Sequence, residues 1–202
     1  MASVEVDGYL IEKLISEHEI QVIVQELAER IYTDYQGRVP VLVGVLKGAN
    51  PFMADLMREL GRGNPETGRP IMPVEIDFIQ VHSYDGQVSS GEISQSFDLS
   101  TSIKGRDVIL IEDILDTGRT LTSLMDRLAE RKPNSISICV FLDKPDRRKV
   151  SVEAKYCGQQ IPDKFVVGYG LDWKQKFRYL PFIGVVGQAV ASQISTPPLL
   201  LS

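Results

Sequence analysis

Three short, almost unbroken apolar runs constrain this chain more than anything else in it: Val41-Leu42-Val43-Gly44-Val45-Leu46, Val108-Ile109-Leu110-Ile111, and Ile136 to Leu142. Runs this short read as strands buried on both faces, and such strands need helices to cover them. The helices are legible too. Ser16-Glu17-His18-Glu19 has capping-box spacing, and Ile20, Ile23, Val24, Leu27 and Ile31 follow at helical intervals, so a helix starts at Ser16 and stops near Gly37. Asn50-Pro51 reads as N-cap and N1 of a second helix carrying Phe52, Met53, Leu56 and Met57. A third starts near Thr120, with Leu121, Leu124, Met125 and Leu128 on one face. A further strand runs from about Val74 to Val81, and Phe165 to Val167 and Ile183 to Val186 complete the strand-like runs. Gly61 to Pro70, with three glycines and two prolines, is a surface connection. Strands alternating with helices predict an α/β chain whose mostly parallel sheet is covered on both faces.

Composition removes several alternatives. A chain of 202 residues buries roughly 70% of its unfolded surface, enough for one sizeable core, so a single domain is expected. Lys and Arg total 22 against 27 Asp and Glu, a net charge of -5 and the wrong sign for counterion-driven binding to nucleic acid. No run approaches the ~20 apolar residues of a membrane span, and Met1 to Asp7 lacks a signal-peptide core. Cys139 and Cys157 are too few for a disulfide scaffold or a Cys-rich zinc site. The expectation is a soluble, cytoplasmic protein in a reducing setting, with no membrane and no nucleic-acid partner.

In parallel sheets of this kind ligands bind beyond the carboxyl ends of the strands. There lies Glu112-Asp113-Ile114-Leu115-Asp116-Thr117-Gly118-Arg119-Thr120: three acids, then a glycine turn with two threonines, between a strand and a helix. A loop closing on a helix N-terminus presents unpaired N–H groups and the positive end of the dipole, which together seat a phosphate. Carboxylates beside that seat repel an anion unless they face hydroxyls or a cation, so Glu112 and Asp113 read as acceptors of ribose hydroxyls, and the string implies a sugar phosphate. The bland alternative is that Thr117 or Thr120 merely caps the helix while the acids stay solvated. Ser83 to Gly91 is too polar and glycine-rich to pack, and reads either as a mobile active-site loop or as an inert hairpin.

The nine-residue string resembles the phosphoribosyl pyrophosphate (PRPP) motif of type I phosphoribosyltransferases. Other nucleotide motifs fail: there is no Gly-x-x-x-x-Gly-Lys-Ser/Thr, and Gly168-Tyr169-Gly170 lacks the third glycine of a dinucleotide fingerprint. Leu46-Lys47-Gly48, Ser83-Tyr84, Leu142-Asp143-Lys144-Pro145 and Ile161 to Asp172 with Phe177-Arg178 are similar to the hypoxanthine phosphoribosyltransferase family, in the family's order and over nearly the whole chain. The resemblance implies a type I phosphoribosyltransferase fold, with a mostly parallel sheet flanked by helices and a small hood subdomain. Residues 1–202 would form one domain, with a core at about 38–160, a hood from the N-terminal and C-terminal segments, and a mobile loop at about 83–100. It implies purine salvage: transfer of the phosphoribosyl group from PRPP to hypoxanthine, and guanine, with release of pyrophosphate and Mg2+ as cofactor, by a homodimer or homotetramer.

Residue by residue, the resemblance makes Asp116 the general base at purine N7. Lys47, Gly48, Ser83, Tyr84, Glu112, Asp113, Asp116, Thr117, Gly118, Arg119, Thr120 and Arg178 become the PRPP and nucleotide contacts, with a non-proline cis peptide at Leu46-Lys47. Lys144 would donate to the purine 6-oxo group, Phe165 stack on the base, and Val166 hydrogen-bond to it through its backbone, with Asp172 close by. Glu112, Asp113 and Asp172 would ligate Mg2+. Trp173 stands where the family more often has tyrosine. Two rival readings stay open: a transferase preferring xanthine and guanine, and a non-enzymatic PRPP-sensing or RNA-binding regulator on the same fold.

Overall fold

Along the strand Asp107–Leu115 (β6) the side chains alternate between two cores, and the helices sort to match. Ile109 and Ile111 join the core under the helices Glu17–Tyr35 (α1) and Asn50–Arg62 (α2). Val108 and Leu110 join the one under Arg119–Ala129 (α3) on the opposite face. The period of two thus covers the sheet on both sides.

The computed structural model describes residues 3–82 and 94–186. Among them, β1 (Ser3–Val6), β2 (Tyr9–Ile15), β3 (Val41–Leu46), β4 (Glu75–His82), β5 (Ser94–Phe97), β6, β7 (Ser135–Asp143), β8 (Tyr156–Gln160), β9 (Val166–Val167) and β10 (Ile183–Val186) form two sheets. The larger has the order β5-β4-β3-β6-β7-β8; its five strands from β4 to β8 pair in parallel, and β5 lies antiparallel at the edge. The smaller, β1-β2-β10-β9, is antiparallel and joins the first strands of the chain to the last described ones. Its own cluster contains Ile11, Val167, Trp173, Phe177, Leu180 and Phe182. No helix among the described residues is long and apolar enough to cross a membrane.

The helix signals held with small shifts. Ser16 caps α1 with a complete capping box, its hydroxyl accepting the Glu19 N–H and the Glu19 carboxylate accepting the Ser16 N–H at 2.7 Å. In α2, Ala49 and not Asn50 is the N-cap; Ala49 already has helical dihedrals and its carbonyl accepts the Met53 N–H at 2.9 Å. Gly61 and Arg62 still belong to α2, and in the surface connection after it Arg69 is buried, paired with Glu29 and Glu59 at 2.9 Å each. The strand expected at Val108 to Ile111 continues to Leu115, which carries Glu112 and Asp113 inside it. β1, β2 and β8 had no apolar run to announce them. Of the loop expected at about 83–100, residues 83–93, including Ser83 and Tyr84, lie outside the described residues, and Ser94–Phe97 form β5.

Candidate active site

The carboxyl ends of β3, β6 and β7 lie side by side, and each delivers one part of the site. β3 ends in a cis peptide at Leu46-Lys47, followed by Gly48, which packs directly on the neighbouring strand. A Cβ at Gly48 would lie 1.7 Å from Oδ2 of Asp113, so the residue type is dictated by the close approach. Gly170, at φ +98°, comes in from the β9–β10 connection; a Cβ there would lie 2.0 Å from the Gly48 carbonyl oxygen. Arg178 holds this connection by donating to the Gly170 carbonyl at 2.6 Å and pairing with Asp172 at 2.6 Å. Lys47, Gly48, Asp113, Gly170, Asp172 and Arg178 therefore meet, and the exposed Lys47 side chain has no partner among the described residues.

Glu112 and Asp113 stand next to each other at the end of β6, half-buried. Burial and the charge of Asp113 push the Glu112 carboxyl well above the ordinary range. Burial raises Asp113 as well, opposed by its hydrogen bonds and by the Arg178 charge. Two adjacent acids held at raised pKa suit a cation or hydroxyl donors, not a bare phosphate. Among the described residues no three His, Cys, Asp or Glu side chains cluster closely enough to hold a metal on their own. Asp172 is tied to Arg178 and accepts the Gln175 N–H at 2.7 Å. The donor set fits Mg2+ in its usual setting, where one or two carboxylates and substrate phosphates share the ion.

After β6, Asp116 and Thr117 lead to Gly118, whose φ of +85° turns the chain into α3. No side chain caps α3, so the capping role weighed for Thr117 and Thr120 is not realised; Thr117 Oγ1 only approaches the Arg119 N–H at 3.5 Å. The first bond of the helix runs from the Thr122 N–H to the Gly118 carbonyl at 2.9 Å. Among the described residues the Thr120 and Leu121 N–H groups have no such partner and can point at an anion, while the Arg119 N–H meets Thr117 Oγ1. A brace from residues 148–152 holds the turn: Arg148 donates to the carbonyls of Leu115 and Asp116 and pairs with Asp143, Lys149 N–H donates to the Thr117 carbonyl at 2.9 Å, and Val150 and Val152 pack under Gly118.

Lys144 follows β7 and is only 3% exposed. Its N–H donates to the Leu115 carbonyl at 2.9 Å, which places it beside the turn. Burial lowers the pKa of its ammonium group, and the charges of Asp116 and Asp163 oppose that shift. Asp163 lies 3.7 Å from Lys144 Nζ and 3.6 Å from Arg147, and Arg147 in turn pairs with Asp116 at 3.0 Å. Arg147 and Arg148 carried no signal in the sequence beyond charge in a short polar stretch, and Asp163 stood inside the Ile161 to Asp172 resemblance without a role of its own. Phe165, two residues past Asp163, packs against the small-sheet cluster, and Val166 is buried in the main core. No hydrogen bond or ion pair ties either of them to Asp116 or Lys144. A cleft of about 500 Å³ lies between α1, α2 and residues 169–181, lined by Arg178 but not by Asp116 or Lys144, so chemistry and not volume locates the site.

A parallel sheet that ends in paired acids and an uncapped helix start is the layout of a phosphoribosyltransferase, and the family described as "Phosphoribosyl transferase domain" matches residues 12–174. The chain is 46% identical to the hypoxanthine-guanine phosphoribosyltransferase of Staphylococcus aureus strain Mu50, over 90% of this chain and 96% of that protein. It is likewise 46% identical to part of the bifunctional protein TilS/HprT of Listeria monocytogenes, covering 89% of this chain but only 26% of that relative, so it spans about a quarter of the bifunctional protein's length. A crystal structure of a hypoxanthine phosphoribosyltransferase from Staphylococcus aureus superposes with a TM-score of 0.80 at 46% identity, covering 89% and 92% of the two chains. The chain belongs to the hypoxanthine-guanine phosphoribosyltransferase family. Neither rival reading, the xanthine-guanine-preferring transferase or the non-enzymatic regulator, finds support in these relatives.

Proposed function

We propose that the chain transfers the 5-phosphoribosyl group of PRPP to hypoxanthine, and to guanine, forming the mononucleotide and pyrophosphate in purine salvage. The observation that carries this is one continuous stretch: paired acids on β6, the left-handed Gly118, and an uncapped helix start, with a buried lysine hydrogen-bonded alongside. The transition state of such a transfer has oxocarbenium character at the ribose and growing negative charge on the leaving pyrophosphate. The free N–H groups at the start of α3, with the Thr117 and Thr120 hydroxyls, hold the 5'-phosphate beside Gly118 and Arg119. Glu112 and Asp113 accept the ribose hydroxyls. Lys47, the Gly48 backbone and Arg178 meet the pyrophosphate, and Ser83 and Tyr84, outside the described residues, are further PRPP contacts.

On the purine side, Asp116 takes the N7 proton as the glycosidic bond forms. Lys144 donates to the 6-oxo group, which excludes adenine because a 6-amino group cannot accept that hydrogen bond. Phe165 stacks on the base, and Val166 hydrogen-bonds to it through its backbone. Glu112, Asp113 and Asp172 would hold Mg2+, which when bound neutralises charge on the pyrophosphate. We assign the protein to the cytoplasm, in keeping with two free cysteines. Assembly as a dimer or tetramer belongs to the same proposal, and light scattering reads it directly. The assignment of the base is tested by Asp116→Asn: turnover should fall by about two to four orders of magnitude while PRPP affinity stays within about twofold, as loss of a general base requires. Near-normal turnover would overturn it.

A further inference from the structure

We propose that Arg147 is a positioning residue that holds Asp116 and the Lys144–Asp163 pair in one fixed relation, so that both groups reading the purine meet the same edge of the base. The inference rests on the transfer reading above. Four charges form an unbroken chain: Asp116 Oδ1 to Arg147 Nε at 3.0 Å, Arg147 Nη1 to Asp163 Oδ2 at 3.6 Å, and Asp163 Oδ1 to Lys144 Nζ at 3.7 Å. The backbone puts Arg147 in reach. Residues Pro145–Arg147 form a 3-10 turn, and the Arg147 N–H donates to the Lys144 carbonyl at 3.1 Å. That bond closes the turn on Lys144 and keeps the two residues close together.

The substrate gives this arrangement its use. N7 and the 6-oxo group share one edge of a 6-oxopurine, a few ångströms apart, and Asp116 and Lys144 come from the ends of different strands. Left alone, each side chain would choose its own rotamer. The guanidinium grips one oxygen of Asp116 through Nε and reaches Asp163 through Nη1, which leaves Asp116 Oδ2 for N7 and keeps Lys144 Nζ aimed beside it. A fork of fixed geometry suits this task, whereas a lysine at 147 is a point charge that can meet one carboxylate at a time.

The test compares wild type, Arg147→Gln, Asp116→Asn and the double variant with PRPP, Mg2+ and radiolabelled hypoxanthine, with thermal melts as a control. Arg147→Gln should lower kcat by about 10- to 100-fold, the scale of a small misplacement of a reacting group, and leave the KM for PRPP within about twofold. In the Asp116→Asn background the same change should alter kcat by less than about twofold, because the group it positions no longer acts as a base. Arg147→Lys should recover only part of the loss. Equal fold-losses in both backgrounds, or an Arg147→Gln variant as fast as wild type, would overturn the inference and leave the transfer reading standing. A folded wild type that makes no nucleotide would overturn both.

Discussion

Lys144 is the residue where stability and recognition pull apart. It is a buried ammonium whose pKa burial lowers, with Asp116 and Asp163 opposing the shift. A lysine pKa depressed on folding means that the unfolded chain binds the proton more readily, so its penalty is fully present below the folded pKa and eases as pH rises past it. An unfavourable buried charge is what the role proposed for Lys144, donor to a purine carbonyl oxygen, entails. Lys144→Met should therefore leave the melting temperature unchanged or higher at pH 7. It should lower kcat/KM for hypoxanthine by about 10- to 100-fold, the worth of one hydrogen bond from a charged donor. PRPP affinity should stay nearly constant, and an equal loss of both would count against a base-reading lysine.

At the scale of elements, β6 is the strand that matters most, because the signal that made it legible stops before its useful end. Val108 to Ile111 announced a buried strand, and the acids after it read as a loop; pairing with β7 instead carries the strand to Leu115 and half-buries Glu112 and Asp113. A raised carboxyl pKa stabilises the fold fully below the unfolded value, and that contribution is lost as pH rises through the folded one. Glu112→Gln should thus flatten the fall in melting temperature expected of wild type as pH rises above the ordinary carboxylate range. An unchanged slope would show that Glu112 ionises normally.

Other elements were legible in proportion to their burial. β3 and β7 stood out as almost unbroken apolar runs, and the three helices because their apolar faces follow a helical period. β1, β2 and β8 are exposed on one side or at an edge, where polar residues such as Gln159 and Gln160 serve as well as apolar ones. In the site, Glu112, Asp113 and the turn at Gly118 were readable because they follow the end of an apolar run, whereas Lys47 and Gly48 were singled out only by the resemblance to the family. Arg147 and Arg148 were not readable, because a charge in a short polar segment looks the same whether it meets water or, as Arg147 does, a carboxylate 31 residues away.

At the scale of the whole molecule, the site lies where the two sheets meet. Gly170, Asp172 and Arg178 belong to the connection between β9 and β10 of the small sheet, yet Gly170 packs on Gly48 at the end of β3 in the large one. A ligand held by both sides couples their stabilities. Saturating PRPP with Mg2+, at about 100 times its Kd, should add roughly 2.7 kcal/mol and raise the melting temperature by about 5 to 11 °C for a chain of this size. PRPP without effect on melting would place its site elsewhere.

The central claim, that one site holds an activated ribose against a base read at its 6-oxo group, is tested most directly by supplying PRPP and Mg2+ with hypoxanthine, guanine, xanthine or adenine in turn. The mononucleotide formed is then measured. The structure predicts rapid formation from hypoxanthine and guanine, with adenine slower by at least about a hundredfold. Adenine used as readily as hypoxanthine, or no mononucleotide from any of the four bases, would contradict it.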